Sequence, residues 1–193
     1  MRCYVINLDR RADRWAVTRD YLYDKGFDVT RFSAIDDRWR GCRDSHLAIL
    51  EQNKHLPITV IFEDDILFTY EDDIIRRIFD SMAEMPVDWD CLYLGASPKE
   101  PQERYSEHLY KLNNAHVTHA ILWHNREGGA VDYILEHRND IDKIDDFFAK
   151  TVQPMFNCYV CYPLLSTQRQ TQSDTCKRSD VSTIEKNYKL YCK

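Results

Sequence analysis

Three consecutive carboxylates, Glu63, Asp64 and Asp65, close the apolar run Ile58-Thr59-Val60-Ile61-Phe62. Charges of one sign packed this closely repel, so a fold that gathers them compensates with a cation. The run itself reads as a buried strand, and ligands of open α/β sheets bind beyond the carboxyl ends of such strands. Strand alternation sends Glu63 and Asp65 to one side and Asp64 to the other. Oxygen-only donors of that kind favour Mg²⁺ or Mn²⁺ over zinc. The plainer alternative is a solvated turn before the next helix, where acids are welcome. The nearby pair Asp72-Asp73 fits that description better.

A second signal lies near the start, where the apolar Cys3–Leu8 runs into Asp9-Arg10-Arg11-Ala12-Asp13-Arg14. Arg11 and Arg14 stand one turn apart at a helix start, a spacing that lets both reach one site. Guanidinium forks at a helix N-terminus suit a diphosphate. The alternative is surface pairing with Asp9 and Asp13. The five glycines, Gly26, Gly41, Gly95, Gly128 and Gly129, spell neither GxGxxG nor GxxxxGK[ST]. With neither phosphate-cradling loop present, side-chain cations or a metal must neutralise any bound phosphate.

The elements that position these groups alternate between strand and helix. Strands are expected at Cys3–Leu8, Val29–Ile35, Ile58–Phe62, Asp90–Leu94, Leu109–Leu112, Val117–Trp123 and Cys158–Leu164. Helices are expected at Arg11–Lys25, Asp44–His55, Glu71–Met85, Glu127–His137 and Asp145–Thr151. Within Glu71–Met85, the residues Ile75, Ile78, Phe79 and Met82 repeat at helical spacing. Such alternation implies an α/β layered domain whose mixed sheet is mostly parallel. From Ser166 the chain turns polar, so residues 1–165 are expected to form the domain and 166–193 a tail that is mobile or ordered by a ligand.

Composition narrows the classes. A chain of 193 residues suits one domain, and 44% hydrophobic with 12% aromatic residues excludes wholesale disorder. A net charge of −6 argues against a nucleic-acid or anionic-membrane partner. No apolar run approaches the ~18 residues of a membrane helix, and MRCYVINL lacks a signal-peptide core. A cytoplasmic protein without a membrane span is the expectation. Seven cysteines include one CxxC, Cys158 to Cys161, whose ends face opposite sides of a strand; reduced buried thiols are expected.

An ordered set of motifs resembles glycosyltransferase family 25. It comprises Val5–Arg14, Arg31–Asp36, Gly41–Leu47, Phe62–Leu67, Asp90–Gly95, Thr118–Ala120 and Gln172-Ser173-Asp174. The family includes bacterial lipooligosaccharide galactosyltransferases, collagen galactosyltransferases and relatives in large DNA viruses. The resemblance implies a GT-A-like, Rossmann-related fold and an inverting hexosyltransferase. The implied donor is a UDP-sugar, used with Mn²⁺ or Mg²⁺. The implied acceptor is a glycan or the hydroxylysine of a collagen-like protein.

Residue by residue, the resemblance assigns the metal to Glu63, Asp65 and His119. It assigns the donor to Asn7, Leu8, Arg11, Arg14, Ala34, Asp36, Ser45, His46 and Asp64, with Gln168, Ser173 and Asp174 in the late segment ordering over it. Asp37 stands where the family often has glycine. Asp145 and Asp146 are candidates for the base or for acceptor binding, against the alternative of a helix cap. His116 is a further candidate for the metal shell or the donor phosphate, and Tyr93 and Trp123 for stacking on sugar, each against a structural role. A metal-dependent phosphoesterase or a non-catalytic nucleotide-sugar-binding domain are the competing functions.

Overall fold

The computed structural model describes residues 1–70, 72–169 and 182–192. In chain order it holds β1 (Arg2–Asn7), α1 (Ala12–Asp24), β2 (Asp28–Ser33), α2 (Gly41–Asn53), β3 (Ile58–Glu63), β4 (Ile66–Phe68) and α3 (Ile74–Ala83). Next come β5 (Cys91–Tyr93), β6 (Ser97–Pro98), β7 (Glu103–Arg104), β8 (Leu109–Lys111), β9 (Ala115–His116), β10 (Ala120–His124) and α4 (Ala130–Glu136). The last are α5 (Ile144–Phe147), a π-helical turn, α6 (Gln153–Met155), β11 (Cys158–Cys161), β12 (Ser166–Gln168) and α7 (Ser182–Tyr191).

An eight-stranded sheet runs β2-β1-β3-β10-β5-β11-β8-β7. Strands β1, β2, β3, β5, β7 and β11 point one way, while β8 and β10 are reversed against their neighbours. The expected mixed α/β sheet is thus present. Its two faces alternate along each strand, as period-2 side chains require. Val5, Val60, Phe62, Leu92 and Leu122 pack with Leu22 of α1 and Ile78 of α3. Ile6, Ile61, Tyr93, Ile121 and Trp123 pack with Leu50 of α2, Ile134 of α4 and Ile184 of α7. Cys158 joins the second cluster and Cys161 the first, so the CxxC faces both cores. The six cysteines among the described residues are free.

Several expectations need correction. The long strand Val117–Trp123 is broken: Val117 takes φ 76°, and only Ala120–His124 enters the sheet. Helix α3 starts at Ile74, after Asp73 in a left-handed conformation of φ 58°. That phase buries Ile74 and Ile78 and leaves Phe79 at 53% exposure. Helix α2 begins at Gly41, ahead of Asp44, because Asp37 Oδ1 accepts the N–H groups of Trp39 and Arg40 and turns the chain early. Gly41 has no alternative there: a Cβ would lie 2.2 Å from the Ile35 carbonyl oxygen. Tyr93 and Trp123 are core residues at 1% and 0% exposure, so neither offers a ring face to a sugar.

The polar stretch from Ser166 contributes two packed elements. Strand β12 pairs antiparallel with β4, and α7 buries Ile184 and Tyr188 in the core, with Cys192 just after it. No helix among the described residues is long and apolar enough to cross a membrane.

Candidate active site

The carboxyl ends of β1, β2 and β3 open onto a cleft of about 550 Å³, within the usual range for small-molecule sites. Glu63, Asp64 and Asp65 lie on it together. Asp64 is turned inward by donors from the first strand and helix. The Asn7 amide donates to Asp64 Oδ2 at 2.7 Å, Arg14 Nη1 to Oδ1 at 3.0 Å, and the Thr18 hydroxyl to the Asp64 carbonyl at 2.6 Å. Burial still lifts the Asp64 carboxyl above its ordinary range, against the pull of Asn7 and Arg14.

Glu63 and Asp65 behave as an opposed pair. Burial works against charge on Glu63, but His46 and the Thr118 hydroxyl, the latter donating at 2.7 Å, bring its carboxyl below the ordinary value. Asp65 is pushed up to about 7 by burial and by the neighbouring Glu63 and Asp64. Its own donor is Gln168, whose Nε2 lies 3.2 Å from Oδ2. A dication between such carboxylates would relieve their mutual repulsion, and carboxylate oxygens are the hard donors that Mg²⁺ and Mn²⁺ prefer. Glu63 and Asp65 therefore fit such an ion.

His119 does not join them. It is fully buried, its Nε2 lies 3.0 Å from the Ser166 hydroxyl, and burial lowers its pKa to about 4, so it holds β12 in place as a neutral ring. Among the described residues, the trio whose ligand atoms all lie within 4.8 Å of one another is Cys42, His46 and Glu63.

Asp145 and Asp146 separate cleanly. Asp145 lines the cleft with its buried Oδ1 unpartnered, and burial together with Glu63 lifts its pKa to about 6. Asp146 turns aside to His116 Nε2 and Lys150 Nζ, both at 3.2 Å, and these hold its carboxyl low. Leu8, Arg14, Ala34 and Asp36 also line the cleft. Arg11 faces Asp13 instead, because α1 begins at Ala12 and leaves Arg10, which pairs with Asp36 at 2.5 Å, in the turn beside the cleft. Ser45 is buried and structural: its hydroxyl donates to the Gly41 carbonyl at 2.6 Å and accepts the Ile35 N–H at 3.0 Å. Ser173 and Asp174 lie outside the described residues.

Sequence reasoning missed Arg10, Arg38, Lys99 and Thr183 on the cleft. For Arg10 the helix phase was the missing information; Lys99 and Thr183 carry no local signal. The result is an acidic cleft that also carries three cations, Arg10, Arg38 and Lys99, besides Arg14, which is held by Asp64. Such a cleft can receive an anionic ligand at its rim while the floor accepts a cation or a proton.

The architecture is an α/β fold of the GT-A-like kind, a mixed eight-stranded sheet flanked by helices. A glycosyltransferase involved in the glycosylation of the major capsid of PBCV-1 matches with TM-score 0.50 at 10% identity, over 82% of this chain and 80% of that one. The A197 protein from STIV also matches with TM-score 0.50 at 10% identity, over 86% of this chain and 84% of that one. No protein-family model and no curated protein sequence matches the chain.

Proposed function

We propose that this chain is a metal-dependent inverting glycosyltransferase, resembling family 25 in its motifs, that moves a hexose from a UDP-sugar to an acceptor hydroxyl. The observation that carries this reading is that Asp145 and the Glu63–Asp65 triplet line one cleft. Transfer needs charge compensation at the leaving diphosphate and a base at the attacking hydroxyl, and the two acidic groups divide along those lines.

Arg10, Arg38 and Lys99 on the rim bind and orient the diphosphate. Glu63 and Asp65 would hold a divalent ion, which when bound would supply further positive charge for the leaving group. Asp145 takes the acceptor's hydroxyl proton as the acceptor oxygen bonds to the anomeric carbon. The bond from that carbon to the phosphate oxygen breaks, and the oxygen leaves as UDP. Buried without a partner on Oδ1, Asp145 is the more basic of the two neighbouring acids. Asp146 positions His116 on the same wall. A glycan or the hydroxylysine of a collagen-like protein is the acceptor class carried by the family resemblance.

The test is a thermal-shift panel of nucleotide sugars with and without Mn²⁺, followed by assays of UDP release with and without acceptor. Stabilisation that requires both sugar nucleotide and ion, with acceptor-dependent UDP release, is expected. Binding without turnover favours a non-catalytic sugar-nucleotide domain, and release of phosphate from simple esters favours a phosphoesterase.

A further inference from the structure

His46 is wholly buried, and neither ring nitrogen has a hydrogen-bond partner. Buried polar groups in folded proteins are almost always paired, so a ring with both nitrogens unpartnered calls for a functional or structural account. Its Nε2 points toward Glu63 Oε1 at 3.6 Å, too long for a hydrogen bond. The Cys42 thiol completes a trio with these two groups, their ligand atoms all within 4.8 Å of one another. Thr118 ties the trio together, its hydroxyl donating to Glu63 at 2.7 Å and lying 4.0 Å from the Cys42 sulfur.

We infer that Cys42, His46 and Glu63 form a binding site for a borderline-soft divalent ion, of the class of Zn²⁺ or Co²⁺, at the floor of the cleft. One sulfur, one imidazole nitrogen and one carboxylate oxygen is a donor set that selects such ions over Mg²⁺. Three protein ligands leave a fourth position open, as in sites where an ion also meets solvent or substrate. Metal–ligand bonds of about 2.0–2.3 Å are reached by drawing in side chains already converged. Cys42 and Glu63 both line the cleft, which gives the ion a way in. Binding displaces the Cys42 thiol proton to solvent and leaves a thiolate on the ion. Cys42 and His46 sit one turn apart at the start of α2, so the helix itself sets their spacing. This site goes beyond the glycosyltransferase reading; it shares Glu63 with the ion of that reading, while Cys42 and His46 are its own ligands and do not depend on which reaction the cleft performs.

The experiment titrates the chelator-stripped full-length protein with Co²⁺ alone, without any sugar nucleotide. One equivalent is expected to produce thiolate-to-cobalt charge-transfer absorption, which Zn²⁺ abolishes and excess Mg²⁺ does not. Cys42→Ser should remove that band and weaken Zn²⁺ binding by more than the roughly 100-fold typical of losing a supporting group. Cys158→Ser, altered in the core away from the cleft, should keep the band. Asp65→Ala should keep it too while losing Mn²⁺-dependent donor binding, so failure here is distinguishable from failure of the transferase reading. X-ray absorption of the Zn²⁺-loaded wild type, with one sulfur scatterer expected, serves if Cys42→Ser does not fold. A wild type without the band at one equivalent, a band that survives Cys42→Ser, or a sulfur-free zinc shell overturns the site.

Discussion

Gln168 reaches Asp65 across 103 residues of chain, its Nε2 lying 3.3 and 3.2 Å from the two carboxylate oxygens. The approach is built by β12 pairing with β4, and by Gly95, where a Cβ would meet the Ser166 carbonyl at 2.1 Å. Removing the amide takes one hydrogen bond from a charged group, a loss of about 1.5–3 kcal/mol. Gln168→Ala is therefore expected to lower the melting temperature by several degrees, at about 2–4 °C per kcal/mol for a chain of this size, and to weaken Mn²⁺-dependent donor binding because Asp65 loses the amide that orients it. Calorimetric titration checks this; unchanged affinity would remove Gln168 from the donor site.

The neighbouring acids should respond in opposite ways. Asp65→Ala is expected to abolish ion-dependent donor binding in a folded protein. Asp64→Ala instead removes the acceptor that Asn7 and Arg14 share, in a setting where the Arg14 and Asp64 side chains are only 11% and 10% exposed. Breaking a buried pair costs about 3–5 kcal/mol. Urea unfolding of both variants separates the roles, and equal destabilisation would merge them.

Asp145 and Asp146 offer a similar contrast. A general base contributes about 10²–10⁴-fold to rate, so Asp145→Asn should lose that much in kcat while donor binding in the thermal-shift panel persists. Asp146→Asn removes only the partner of His116 and Lys150, and a milder loss is expected. Steady-state kinetics decides; the reverse order would make Asp146 the base.

A pH signature is expected far from the cleft, where α3 meets the strand edge. Glu84 Oε1 bonds His108 Nδ1, and Glu84 Oε2 accepts the His108 backbone N–H at 3.0 Å. The bond to Glu84 raises the His108 pKa from 6.5. Burial opposes charge on Glu84, but the nearby Ser106 hydroxyl and the two bonds to His108 outweigh it and lower its pKa from 4.5. The pair's contribution is thus complete between about pH 4.5 and 6.5. It declines as pH rises through the raised histidine value or falls through the lowered glutamate value. Melting curves of wild type and Glu84→Gln should differ most in that window, and a difference that grows toward pH 9 contradicts the assignment.

Much of the frame was legible because it rests on uniform or periodic burial. The run Ile58–Phe62 is hydrophobic enough to lie between two helix layers, and the acids at its end follow it into the cleft. Short pieces were not legible. Strands β4 and β12 are three residues each, too brief for alternation to show. Helix α7 was hidden in polar composition, although Ile184, Tyr188 and Cys192 recur at four-residue spacing. The exchange of Arg11 for Arg10 turned on a helix starting one residue later than Arg11, a difference within the ordinary uncertainty of helix ends. His119 entered the metal set through the resemblance of Thr118-His119-Ala120, and burial against Ser166 was not legible from that motif.

Thr183 and Ile184 of α7 form part of the cleft wall, well over a hundred residues after the acids on its floor. On the ribosome, then, the acids emerge and can fold into the sheet long before that wall is translated. A nascent chain would carry an open trough, and tight capture of a sugar nucleotide would have to await the arrival of α7.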